Sequence, residues 1–82
     1  MKITLRNNKG LIIRRIQIAN KSVNLQFRWN NIDEFWYISI PGLIDGIRVS
    51  PMRPIKLKDG YFIAEGETGK TTFNEITWIE YD

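Results

Sequence analysis

Apolar and polar residues alternate with a period of two through much of this chain. Val23, Leu25, Phe27 and Trp29 alternate with Asn24, Gln26, Arg28 and Asn30, the pattern of a strand with one buried and one wet face. After the polar stretch Asn30-Asn31-Ile32-Asp33-Glu34 the alternation resumes, with Trp36, Ile38 and Ile40 set against Phe35, Tyr37 and Ser39. Asn and Asp tolerate turn geometry, so Asn24 to Ile40 predicts a β-hairpin with Trp29 and Trp36 flanking its loop.

The same logic places other strands. Lys2 to Arg6 is expected to be the first, joined through Asn7-Asn8-Lys9-Gly10 to a second. In that second strand Ile12, Ile16 and Ile18 share a parity with Arg14, and Asn20-Lys21 turns into the hairpin. Beyond it, Pro41-Gly42, Asp45-Gly46, Pro51, Pro54 and Asp59-Gly60 punctuate the chain. Short strands are expected between them at Ile47 to Ser50, Ile55 to Leu57 and Tyr61 to Ala64, with a turn at Lys58-Asp59-Gly60.

A last strand, Ile76 to Tyr81, carries Ile76 and Trp78 on one face and Ile79 and Tyr81 on the other. Such a strand is either central or turned toward another subunit. No segment has a 3.6-residue period with a cap. The pattern predicts an all-β fold, a small β-barrel or β-sandwich of short antiparallel strands formed by residues 1–82 as a single domain. Its expected core is Leu25, Phe27, Trp29, Trp36, Ile38 and Trp78. Truncating Trp29 to Ala is expected to cost roughly 3–5 kcal/mol, as for a core aromatic.

Composition narrows the chemistry more than it directs it. With neither cysteine nor histidine in 82 residues, disulfides, thiolate zinc sites and imidazole general bases are all excluded. The formal net charge of +3 is spread along the chain without a basic block. No segment approaches the ~20 apolar residues of a membrane helix, and the start of the chain does not read as a signal peptide. These features predict a soluble protein made in a cytoplasm.

The most tempting motif is Ala64-Glu65-Gly66-Glu67-Thr68-Gly69-Lys70-Thr71, a relaxed phosphate-loop match. A phosphate loop opens a helix, whereas Thr72 to Trp78 is a run of β-formers, and Glu65 and Glu67 would repel phosphate. It reads as a connection between strands. The carboxylate pairs Asp33-Glu34 and Glu65/Glu67 sit in expected turns, without the shielding that separates an acid from a base. No catalytic residue, cofactor or metal site is predicted, and no small-molecule substrate.

Two binding readings remain. A basic β-barrel with aromatics on its strand faces can bind single-stranded nucleic acid by stacking in a positive groove, and Arg14, Arg28, Tyr37 and Arg48 are the wet-face candidates. The other reading is a structural protein that joins its neighbours through exposed strand edges.

The segment Ser22 to Ile40, SVNLQFRWNNIDEFWYISI, resembles the small baseplate plug proteins of contractile-tailed bacteriophages. The matching positions are Leu25, Phe27, Arg28, Trp29, Asn30, Trp36 and Ile38. GLIDGIRVSPMRPI (42–55), YFIAEG (61–66) and ITWIEYD (76–82) are similar to further family segments, in the same order. The chain is short for this family, and its late Gly-rich loop is compressed to Gly66–Lys70.

The resemblance implies an all-β virion component at the distal end of the tail, without catalysis or cofactor. It would be made in the bacterial cytoplasm, be present in multiple copies, and pack beside hub, tube and wedge proteins. The residues expected to meet such partners are Arg14, Arg28, Arg48, Arg53, Ile79 and Tyr81. Single-stranded nucleic-acid binding is the alternative function.

Overall fold

The structure, a computed structural model, describes residues 1–7 and 9–82. Eight strands are β1 (Lys2–Thr4), β2 (Leu11–Ile18), β3 (Lys21–Asn30), β4 (Phe35–Ile40), β5 (Ile44–Val49), β6 (Ile55–Lys56), β7 (Gly60–Ile63) and β8 (Glu75–Glu80). They form two antiparallel four-stranded sheets, β2-β3-β4-β5 and β1-β8-β7-β6. The buried side chains of both sheets make one cluster. Of the two architectures expected from the sequence, this is the sandwich.

Local chemistry accounts for most connections. The β2–β3 turn is Ala19-Asn20, with φ of 50° and 63°, between paired Ile18 and Lys21. This is the twist-matched two-residue hairpin, and it lies one residue earlier than the sequence pattern suggested. At the β3–β4 loop the Asn30 side-chain oxygen accepts from the amides of Ile32 (2.8 Å) and Asp33 (3.3 Å), and the Glu34 amide donates to the Asn30 carbonyl (2.9 Å). Between β4 and β5, Pro41 and Gly42 occupy the central positions of a tight turn. Gly42 has φ +79°, and the Leu43 amide donates to the Ile40 carbonyl at 2.9 Å, as in a type II turn. The Asn7–Gly10 connection includes Asn8, which lies outside the described residues.

Strand β5 departs from expectation. It starts at Ile44, and the Asp45-Gly46 pair that read as a break is instead a register irregularity inside the ladder. Gly46 adopts φ +70°, and its amide donates to the Ser39 hydroxyl at 3.1 Å. A glycine with positive φ within a strand marks a bulge rather than a stop.

In the central hairpin Trp29 pairs with Trp36, and their rings meet edge-on at 5.7 Å. Leu25, Phe27, Trp36, Ile38 and Trp78 are buried, whereas Trp29 is only half-buried and packs on the margin of the cluster. Phe73, assigned no role by the sequence pattern, is fully buried and contacts Phe27 at 5.4 Å and Trp36 at 5.7 Å.

Phe73 explains the Ala64–Thr71 segment. This connection folds over one end of the sandwich, where the Trp36 indole N–H donates to the Gly69 carbonyl at 2.9 Å. Gly69 also donates its amide to the Thr72 hydroxyl at 2.9 Å. Phosphate binding uses unpaired amides at the start of a helix. Here no helix follows, and Gly69 presents its carbonyl to the core.

Candidate interaction faces

Strand register sorts the outward side chains onto two opposite faces. On the β2-β3-β4-β5 sheet, Leu11, Arg28, Tyr37 and Arg48 form one cross-strand row, through the pairs Leu11/Arg28, Arg28/Tyr37 and Tyr37/Arg48. The Arg48 guanidinium lies 4.7 Å from the centroid of the half-buried Phe35 ring, within cation–π range. Further along the face come exposed Ile13 and Arg15. A shallow concavity of about 540 Å³ is lined by Arg28, Trp29, Asn30, Asn31, Ile32 and Tyr37.

The Tyr37 hydroxyl donates to the Asp33 carboxylate. That bond, together with desolvation and the carboxylate's charge, raises Tyr37 above the ordinary tyrosine value of 10.0, with Arg48 opposing. The neutral phenol is therefore the form favoured by folding. Its contribution is complete below the unfolded value and disappears as pH climbs through the higher folded value. Asp33→Asn should bring the Tyr37 ionisation back toward 10.0. Tyrosinate absorbance of the variant against the parent chain measures this, and an unchanged titration would show that Asp33 does not hold the phenol.

The outer face of the β1-β8-β7-β6 sheet differs. Tyr61 pairs with Ile79 and Ile63 with Thr77, and the rings of Tyr61 and Tyr81 lie 6.1 Å apart. Tyr61 and Ile63 are half-buried, while Ile79 and Tyr81 are 39% and 48% exposed. Together these four make an apolar patch on a face that a solitary domain would keep wet. The patch is edged by Lys56, which pairs with Tyr61, and by Thr77, whose hydroxyl donates to Glu65 at 2.8 Å.

The six partner-facing residues read from the sequence therefore do not converge. Ile79 and Tyr81 share one face, and Arg28 and Arg48 the opposite one. Arg53 is exposed on the crossover between β5 and β6. Arg14 pairs with the buried Leu25 and has the core-facing parity of Ile12, Ile16 and Ile18, yet it is exposed. It does not join Arg28, Tyr37 and Arg48 on their face, and Arg15 is the β2 arginine that does. Alternation along β2 already points to Arg15, because Arg14 shares the parity of Ile12, Ile16 and Ile18. Tyr61 and Ile63 were passed over because a short apolar strand does not reveal which of its faces is covered.

Among the described residues no group of three or more acidic side chains comes together as a metal site, and no helix is long and apolar enough to cross a membrane. No protein-family model, no curated protein and no solved structure matches this chain.

Proposed function

We propose that this protein is a structural docking component of a phage tail baseplate, packed beside hub and tube proteins in several copies per particle. The observation that carries the reading is the apolar outer face of β7 and β8, formed by Tyr61, Ile63, Ile79 and Tyr81. Contiguous apolar surface on a small domain marks an interaction site, and burying it against a partner stabilises at ~25 cal/mol per Å². The resemblance supplies the kind of partner. Its strongest segment, Ser22 to Ile40, spans the hairpin whose Trp36 also anchors the late loop, so the likeness falls on residues that hold the fold together. The function so read is rigid packing, and it asks for no reacting group.

The test uses purified phage particles from the source of the gene. Trypsin releases Trp29–Arg48, which can be counted by mass spectrometry against a tail-tube protein of known copy number. A fixed small-integer ratio is expected. An Ile79→Lys/Tyr81→Lys variant should keep its unfolding midpoint and fail to enter particles. Absence of the parent chain from particles would overturn the proposal.

A second reading has its own support. Arg28, Tyr37 and Arg48 in one row, with Arg48 over Phe35, is a small basic and aromatic platform of the kind single-stranded nucleic acid stacks upon. An oligonucleotide titration at low salt, repeated at rising salt, separates the two. Affinity that falls steeply with salt indicates phosphate contacts and favours nucleic acid. No binding at low salt eliminates it.

A further inference from the structure

An unpaired strand edge is a template on which another chain can add a strand. Among the described residues, strand order leaves β2 and β5 as the edges of one sheet and β1 and β6 as the edges of the other. Three of these are poor templates. β1 has three residues and β6 two, and β5 carries the irregularity at Gly46. Short edge strands and bulges both discourage pairing. β2 has neither defence. Its eight residues, Leu11–Ile18, keep unbroken register with β3 from Leu11/Arg28 to Ile18/Lys21.

The ladder fixes which backbone groups of β2 are free. Antiparallel pairs alternate between those that exchange backbone hydrogen bonds and those that do not. The Gly10 carbonyl accepts from the Trp29 amide at 2.9 Å, so Gly10 and, by alternation, Ile12, Arg14, Ile16 and Ile18 turn their backbone toward β3. The amides and carbonyls of Leu11, Ile13, Arg15 and Gln17 therefore face away from the sheet. On the core side, Ile12, Ile16 and Ile18 are buried, and Arg14 in their midst is exposed. On the outer side Ile13 is 67% exposed. With an apolar residue in place of Arg14, β2 would be a long, regular and largely apolar edge.

We infer that Arg14 guards this edge: its charge, set in the core-side row of β2, keeps a further strand, above all β2 of a second copy, from pairing there. A strand added to β2 would extend the core-side row past Arg14, which already has the buried Leu25 on its other flank. The guanidinium would lose water without gaining a partner, and burying an unpaired charge is costly. Self-pairing is opposed twice. A two-fold axis normal to the sheet keeps the core sides of two copies together, so residues opposite one another share parity. The two antiparallel registers with the longest overlap then set Arg14 against Arg14, or Arg15 against Arg15 with Arg14 facing Ile16. Like charges directly opposite destabilise a strand pair. This guard is independent of the docking reading, which uses an outer face and leaves the β2 edge free.

The experiment compares the parent chain with Arg14→Val and Arg15→Val by sedimentation velocity over a range of concentrations and by amide hydrogen exchange. Both substitutions remove one positive charge and add the same side chain, but only the first changes the core-side row. In the parent chain the Ile13 and Arg15 amides should exchange freely, and those of Ile12 and Arg14 slowly. Arg14→Val should form larger species as concentration rises, and its Ile13 and Arg15 amides should then slow by roughly tenfold or more. Arg15→Val and Arg14→Lys should keep the size of the parent chain.

Arg14→Thr removes the charge with less apolar gain, and it decides the matter where the valine variant precipitates. Slow exchange of Ile13 and Arg15 in the parent chain would overturn the inference, because the edge would already be paired. So would parental size in both Arg14→Val and Arg14→Thr, or equal association by Arg14→Val and Arg15→Val.

Discussion

Trp36→Ala should lower the unfolding free energy by roughly 3–5 kcal/mol in a denaturant titration, the range for truncating a large buried aromatic. Trp36 has no exposed surface, meets the rings of Trp29 and Phe73 at 5.7 Å each, and donates its indole N–H to Gly69. The substitution opens a cavity between the sheets and removes the anchor of the connection from Ala64 to Asn74. Trp36→Phe separates the two effects. It keeps most of the apolar volume and loses the hydrogen bond, and should cost roughly 1–2 kcal/mol.

Trp29→Ala, expected from alternation alone to cost as much as a core aromatic, should instead cost roughly half of what Trp36→Ala does, because Trp29 is only half-buried. Equal losses at the two positions would show that the hairpin end is buried in solution by something further, such as a second copy.

Gly60→Ala is the other large effect, and it follows from space rather than from lost contacts. A Cβ at this position would come 2.3 Å from the Ile79 carbonyl oxygen, 2.7 Å from Trp78 Cζ2 and 2.9 Å from Glu80 Cα. Two of these are backbone atoms of the neighbouring strand, where Gly60 pairs with Glu80, so no side-chain rotation relieves the clash. Strands β7 and β8 must separate, or the bond from the Tyr81 amide to the Asp59 carbonyl (3.0 Å) must yield. The expected loss is roughly 3 kcal/mol, at the upper end for overpacking. Gly66→Ala provides the control, since nothing lies within 4 Å of its added methyl, and it should be close to neutral. A Gly60→Ala chain with the parent's unfolding midpoint would show that the β7–β8 approach is looser than described.

Particular residues mark the boundary between what could be read from the chain and what could not. The alternation of Val23 to Trp29 and of Trp36 to Ile40 decided the hairpin and its two faces, because side chains on a strand have a period of two and a slip of one residue would expose the whole apolar set. Asn30, Pro41-Gly42 and Asp59-Gly60 marked turns through their backbone preferences. The absence of histidine and cysteine removed whole classes of chemistry, and Ile79 with Tyr81 signalled that the last strand is apolar on both faces.

Other features required the fold. Asp45-Gly46 stays within β5 because a neighbouring strand stabilises the bulge, which no local preference reveals. That Arg14 stays exposed although it shares the parity of the buried Ile12, Ile16 and Ile18 could not be read from alternation. The half-burial of Trp29 and the burial of Phe73 both depend on which segments close the ends of the sandwich. Local alternation defines each strand's faces through interactions a few residues long. Which face or edge remains uncovered depends on contacts between residues distant in the chain, and those exist only once the sheets have packed.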